Sequence, residues 1–492
     1  MKKLKMDPWR WALFAPVVVL VFQVLTLNIM SLNADETLYQ LIVEELGKIT
    51  HGQWPALNPL VPYEGPLDFW ILGSIFTIFH SILGMNPSPW LFRAVPLIAV
   101  TWGAWVLYRE IEQQFPERKS SFAFVLSISP MVLVFSRVAF PQSFMLGLFL
   151  VLFAEALRVH RTSEVRWLRI ALLAGLAIEA HITAVVGLGA IFLPVLRHLV
   201  AGARRRFHHF ALGLALLIGL AWPVMRNFPL PISATPGVHW YIEVRSFLNI
   251  LSGHQPFRFM LTKDAAPVFL LVGFLILLIG AFVWHFSVLV KGRTNRLDRH
   301  FLHHGLATGA GTLFLLFMCY RGRTLMDLGT ERYFLSLLPG WIFLQSDLLF
   351  RARQRFTIEG LRAWVVLGGL FLFFLVRLAL PLVQFAKQED PLKPAAAWLM
   401  DECPSGTCVA YSDGYASYWP LKFYSKNRLA LNSLWSDWKP VPYFDPTGKK
   451  QAGCWAKDSE RSHPESFEKR RDFAAGPGRP AYSCYSGINL KP

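Results

Sequence analysis

Charge is what this sequence has least of: 16% of its 492 residues are Asp, Glu, Lys or Arg, against 54% hydrophobic. A chain so apolar, cut into long hydrophobic runs, is not a soluble globular protein but a polytopic membrane protein. Acids are rarer than bases, 32 against 49, yet the positive excess does not point to nucleic acid. The basic residues form short clusters between apolar runs, as cytoplasmic loops do under the positive-inside rule, whereas a nucleic-acid footprint needs a basic face on a soluble surface. Cysteine is scarce too. Of five, four (Cys403, Cys408, Cys454, Cys484) fall in the tail. With no CxxC pair nearby a zinc site is weak. An even number in an oxidising compartment points instead to two disulfides, and proximity suggests Cys403 with Cys408 and Cys454 with Cys484. Internal repeats and low-complexity linkers are absent.

The first apolar run, 11–30, follows a basic start and lacks a small-residue cleavage site, so it reads as a retained helix with a cytoplasmic N-terminus. The run 67–84 contains Asp68 and His80. If it crossed, Arg109, Arg118 and Lys119 would lie outside; as a re-entrant or surface helix it leaves them in the cytoplasm. Crossings follow at 90–108, 121–135 and 138–157. The stretch 170–196 has basic clusters at both ends and reads as two short helices turning near Glu179-Ala180-His181. Further crossings fall at 210–225, 267–290, 302–320, 333–350 and 361–382, about eleven in all. The expected architecture is an all-α polytopic membrane domain, 1–383, with juxtamembrane helices in a first outer loop at 33–89, and a small extracytoplasmic α/β domain at 384–492. Within that domain 394–400 reads as a helix, 407–412 as a strand, and 417–424 as either.

The loop after the first helix carries two adjacent acids, Asp35 and Glu36, at a membrane surface, where an acid pair reads equally as functional or as a solvated cap. An amphipathic pattern (Leu38, Leu41, Ile42, Leu46, Ile49) and the run Tyr63-Glu64-Gly65-Pro66-Leu67 follow, so this loop lies on the membrane. On this topology the prominent polar residues share the outer side: Asp35, Glu36, Glu64, Arg137, His181, Arg321, Arg323, Glu331 and Arg332. Acids beside fixed cations suit a reaction in which Arg or His holds a lipid phosphate and an acid handles a proton. Each residue also has a plainer reading. Arg137 and Arg332 as headgroup snorkels, His181 with Glu179 as a buried polar pair, and Glu331 with Arg332 as an ion pair all fit. Trp54, Trp70 and Trp240, in outer segments, are of the kind that stacks on sugar rings.

Five elements in order, Ala34-Asp35-Glu36, Tyr63-Glu64-Gly65-Pro66-Leu67, Phe92-Arg93-Ala94-Val95-Pro96, Phe135-Ser136-Arg137-Val138-Ala139 and Glu331-Arg332-Tyr333-Phe334-Leu335 with Pro339, resemble the C-type membrane glycosyltransferases. The branch is that of the protein O-mannosyltransferases and the lipid A aminoarabinose transferase. The likeness covers roughly the first 350 residues, and the tail is similar in layout only. It implies transfer of a sugar from a polyprenyl-phosphate donor to a lipid, glycan or protein acceptor, at the outer face of the inner (plasma) membrane and with inversion. Asp35 would be the base and Glu36 its helper. Arg137, His181 and Arg332 would face the lipid phosphate, with Glu64, Gln142 and Tyr333 among the substrate contacts. The chain departs from relatives at Gln142, where they often carry an acid, and at Glu64-Gly65-Pro66, where they have Lys-Pro-Pro or His-Pro-Pro. No particular cofactor is implied, and a divalent ion beside Asp35 and Glu36 stays open for want of a complete ligand set. A polyprenyl-phosphate or glycolipid transporter and an oligosaccharide ligase or polymerase are the rival readings. The first loses ground because no matching pair of broken helices occurs in two halves.

Cysteines placed at Gln113 and Glu117 test the topology. In intact cells an impermeant thiol reagent is expected to leave both unlabelled, and labelling from outside would place this loop on the wrong side.

Overall fold

The computed structural model describes residues 8–27, 74–75, 78, 89–138, 141–225, 268–293, 295–321, 330–385, 389–404, 408–412, 415–426, 428–429, 431–433, 450–457, 464, 466–474 and 481–488. These fall into two compact units, one ending at residue 378 and the other taking 26–27 and everything from 379 onward.

The larger unit is helical throughout: α1 (Pro8–Trp11), α2 (Ala15–Thr26), α3 (Pro89–Gln114), α4 (Lys119–Ile128), α5 (Pro130–Phe135), α6 (Pro141–Thr162), α7 (Trp167–Ala180), α8 (Ala184–Phe192), α9 (Leu196–Arg205), α10 (Phe207–Met225), α11 (Val268–Lys291), α12 (Arg296–Arg321), α13 (Leu338–Arg355) and α14 (Gly360–Phe385). Among the described residues six stretches are long and apolar enough to cross a bilayer: Trp90–Gln114, Gln142–Thr162, Ala184–Arg205, Phe207–Met225, Arg296–Met318 and Arg332–Arg355. The apolar stretches Ala15–Thr26, Ile276–Lys291 and Gly360–Val376, the last two being parts of the longer α11 and α14, accompany them. The chain is therefore an integral membrane protein; the six stretches belong to the described residues, and the expected runs also draw on residues outside them. One expected run is interrupted, and another folds as expected. The run at 121–135 is broken at Ser129, whose extended backbone leads into Pro130 at the start of α5, because proline cannot donate the next helical bond. The stretch 170–196 folds as α7, a turn at His181, and α8, and a 3-10 turn at Leu193–Val195 then joins α8 to α9.

Helices α3 and α6 approach closely through glycine. A Cβ at Gly147 would lie 2.6 Å from the Ala99 backbone, the small-residue contact that lets membrane helices pack without a hydrophobic driving force between them. At the basic end of the bundle the packing is ionic. Asp347, on α13, is fully buried and accepts from Arg118 Nε at 2.6 Å and Arg351 Nε at 2.7 Å. Arg351 also reaches Asp298 on α12, and the His285 ring on α11 lies 3.7 Å from the Asp347 carboxylate. The Arg118 guanidinium is 4.4 Å from the centre of the Phe350 ring and 5.1 Å from that of Phe301. One carboxylate thus ties together α11, α13 and the 3-10 turn Pro116–Arg118, and through Arg351 also α12. A second set binds α3 to α6 and α7: Arg161 pairs with Glu110 at 2.9 Å, and Arg169 with Glu155 at 3.1 Å.

The smaller unit carries α15 (Leu392–Glu402), α16 (Tyr415–Tyr424) and a five-stranded sheet of β1 (Cys408–Ser412), β2 (Leu431–Ser433), β3 (Lys450–Ala456), β4 (Lys469–Phe473) and β5 (Tyr482–Ile488), ordered β2-β1-β3-β5-β4. Strand β1 is parallel to β2 and β3, and the remaining pairs are antiparallel. Period-two alternation sorts the core. Cys408, Ala410, Cys454, Tyr482 and Cys484 pack with Leu392, Leu399, Tyr418 and Leu421 of the helices, while Val409, Tyr411, Trp455 and Tyr485 make a second cluster. The stretch 417–424, ambiguous by pattern, is helical within α16. Cys403, at the end of α15, is bonded to Cys408, and Cys454 to Cys484 at directly opposed positions of β3 and β5.

Asp347→Ala leaves Arg118 buried without its carboxylate. It is expected to lower stability by about 3 to 5 kcal/mol, read by unfolding of the purified protein in detergent, whereas an unchanged midpoint would mean the pair carries no net stability.

Candidate functional site

The segment before α13 does not continue the α-helix. Thr330–Leu337 is a 3-10 helix, an unusual length for a geometry that rarely lasts more than about four residues and often marks a functional stretch. Pro339 sits in the first turn of α13, where the chain returns to α-geometry. Three residues per turn bring positions three apart onto one edge, so Tyr333 and Ser336 face the same way. Both meet the turn between α7 and α8. The Tyr333 ring stacks on His181, centroids 4.8 Å apart and planes inclined by 21°, and the Ser336 hydroxyl donates to the Thr183 carbonyl at 3.3 Å.

His181 ends α7 with an extended backbone. Its Nδ1 accepts the Thr183 backbone N–H at 3.2 Å and lies 2.8 Å from the Thr183 hydroxyl. In the neutral ring this assigns the proton to Nε2 and makes that nitrogen the donor. The Arg332 guanidinium lies 5.7 Å from the centre of the Tyr333 ring, so an imidazole, a phenol and a guanidinium form one layered cluster. Gly187 makes the approach possible: a Cβ there would come within 2.5 Å of the Phe149 ring on α6 and 2.6 Å of Ser336 Cβ.

Arg137, Gln142 and Glu179 are each buried, at 2%, 0% and 2% exposure. Arg137 follows Ser136, the residue capping α5, and Gln142 opens α6, the helix that packs against the 3-10 segment. Arg137 is therefore not a surface snorkel but a charge held inside the protein, and Arg93, in the first turns of α3, is equally enclosed. A cavity of about 330 Å³ with largely apolar walls lies among α2, α3, α4 and α5 and reaches Ser136, with Gln23, Thr101, Tyr108 and Ser127 among its other polar lining. The Gln23 amide donates to the Leu133 carbonyl at 3.2 Å, pinning α2 to α5.

His181, Arg332 and Tyr333 are thus brought into contact. Asp35, Glu36 and Glu64 lie outside the described residues, as do Trp54, Trp70, Trp240, Arg323 and the side chains of Arg321 and Glu331. Among the described residues no three His, Cys, Asp or Glu side chains converge as metal ligands. Thr183, Gly187 and Ser336 escaped the sequence reading. Thr183 and Gly187, four apart on one helix face, are its only trace, and it is unremarkable in a glycine-rich membrane helix.

No family model matches this sequence, and no curated protein does. In three dimensions the chain is similar to ArnT from Cupriavidus metallidurans, crystallised bound to undecaprenyl phosphate (TM-score 0.55, 14% identity, 96% of this chain and 98% of that one). It is also similar to the same enzyme in the apo state (TM-score 0.57, 15% identity, 96% and 97%). At that identity the likeness is one of fold. The chain has the GT-C fold of ArnT, and the likeness extends past the motif-bearing first 350 residues into the tail.

Gly187→Leu is expected to push the 3-10 segment off α8 and cost about 1 to 3 kcal/mol through overpacking. The Thr183–Ser336 contact should open with it, so a crosslink between cysteines at these two positions, efficient with Gly187 in place, is expected to fail in the variant.

Proposed function

We propose that this protein is a membrane glycosyltransferase that moves a sugar from a polyprenyl-phosphate donor to an acceptor hydroxyl at the outer face of the inner membrane. The observation that carries the reading is the fold shared with ArnT along 96% of the chain, ArnT itself having been crystallised with undecaprenyl phosphate. The cluster of His181, Tyr333 and Arg332 and the buried Arg137 supply, on this reading, the groups that hold the donor phosphate. Guanidinium suits the task because its planar fork matches two phosphate oxygens at once, and His181 adds the Nε2–H donor that its Nδ1 contact assigns. The apolar cavity ending at Ser136 is of a chemistry that accepts isoprenoid chain beside that phosphate.

In the reaction so read, Asp35 takes the proton of the acceptor hydroxyl as its oxygen attacks the anomeric carbon. The bond from that carbon to the phosphate oxygen breaks, and the electron pair leaves with the polyprenyl phosphate. One displacement inverts the anomeric centre. The leaving group is already a good one, so the cations serve to stabilise the charge it gains in surroundings of low dielectric, where such contacts are strongest. Glu36 assists Asp35, and Glu64 and Gln142, the departures from relatives, contact the sugar or acceptor and set which is used.

Purified protein in lipid nanodiscs, given polyprenyl-phosphate sugars, is expected to release polyprenyl phosphate and a glycosylated product of inverted configuration. Movement of intact donor between leaflets without product would make it a transporter, and transfer of a whole glycan a ligase. Asp35→Asn should lower turnover by roughly 10² to 10⁴, about 3 to 5 kcal/mol of barrier, with donor binding intact. Asparagine caps a helix as well as aspartate, so a near-normal rate in that variant would reduce Asp35 to a cap. The double variant Arg137→Ala/Arg332→Ala should lose donor affinity instead.

A further inference from the structure

Helix α9 is the one described helix of this length in the larger unit with no buried residue. One face docks it. Gly202 is the contact point, since a Cβ there would lie 2.7 Å from Val165, and His198 sits 3.3 Å from the Ser163 hydroxyl and edge-on to the His160 ring. Away from that face the helix divides. Leu196, Val200 and Ala203, at spacings of four and three, form an apolar edge on which Leu196 is 50% and Val200 45% exposed. Beside it Arg197, Arg204 and Arg205 are exposed and meet no acid among the described residues, unlike Arg206, which pairs with Glu164 at 3.5 Å. The next residue, Phe207, is 69% exposed at the head of α10.

The stretch 184–205 reaches bilayer length only by adding α9 to α8 across the 3-10 turn Leu193–Val195; taken by itself, α9 has an exposed apolar edge beside unneutralised arginines and leads directly into an apolar span, the composition of a segment lying in the plane of the membrane surface. The apolar edge then sits in acyl chain and the cations at phosphate level. A span end that merely stopped in water would leave Leu196 and Val200 solvated, and a protein partner would have to bring both an acidic and an apolar surface of its own. A leaflet carrying negative headgroups supplies both the apolar phase and the charge. We propose that α9 is an interfacial helix that binds anionic phospholipid through Arg197, Arg204 and Arg205, at the basic end of the bundle and independently of the donor site.

The test uses the full chain, purified in detergent and titrated with phosphatidylglycerol or phosphatidylcholine while bound lipids are counted by native mass spectrometry. Each arginine near an anionic surface is worth about fivefold in affinity, so Arg197→Gln/Arg204→Gln/Arg205→Gln should weaken phosphatidylglycerol binding roughly 100-fold and leave phosphatidylcholine unchanged. All three side chains are exposed, so the variant folds. Unchanged phosphatidylglycerol binding would overturn the proposal, as would competition by millimolar inorganic phosphate, which would make the arginines a free-anion site. Loss of the bound lipid in Arg137→Ala alone would also overturn it by assigning that lipid to the donor pocket. A nitroxide at Leu196→Cys, with Cys319 replaced by Ser, is expected to be reached by oxygen and shielded from aqueous nickel in vesicles containing phosphatidylglycerol, and a nickel-accessible label would place α9 in water.

Discussion

A carboxylate with no access to water holds the basic end of this bundle together. Asp347 lies between Arg118 and Arg351, and neither the acid nor the bases tolerate removal of the other, since an isolated charge in an apolar interior costs far more than the pair gains. That makes the contact a constraint rather than a bonus. It fixes α13 against α11, α12 and the turn before α4, and α13 is continuous with the 3-10 segment whose Tyr333 and Arg332 form the candidate site. The basic end of the helix is ionic, and the end that carries the candidate site departs from α-geometry.

The two ends manage charge differently. At the basic end Asp347, Asp298, Glu110 and Glu155 each have an arginine within hydrogen-bonding distance. Around the 3-10 segment the side chains are layered, imidazole on phenol on guanidinium, and the Thr183 N–H orients His181 through Nδ1. A ring oriented through one nitrogen has the direction of the other defined.

Much of this was legible in the residues. Long apolar runs separated by basic clusters point to a polytopic membrane protein because a bilayer demands both features, and the five ordered motifs pointed to the GT-C fold that the likeness to ArnT shows. The clustering of His181 with Arg332 and Tyr333 was legible only as a shared side of the membrane. Their contact depends on a 3-10 edge and on the missing side chain of Gly187, and hydropathy registers neither. Asp347 was legible in principle, as an acid inside an apolar run, but its partner Arg118 is 229 positions away, and a distance of that kind leaves no pattern in sequence.

Fold and specificity are recorded in different residues here, and this explains how a chain only 14–15% identical to ArnT keeps its architecture. Lipid-facing positions need only be apolar, and interhelical contacts such as Gly147 against Ala99 need only be small, so many sequences satisfy the bundle. A sugar and an acceptor are distinguished by a few polar groups, whose loss or gain is worth orders of magnitude because a buried donor or acceptor left unpaired is costly. Gln142, fully buried in the first turn of α6, is an amide in a place where an ionised side chain would cost far more to enclose.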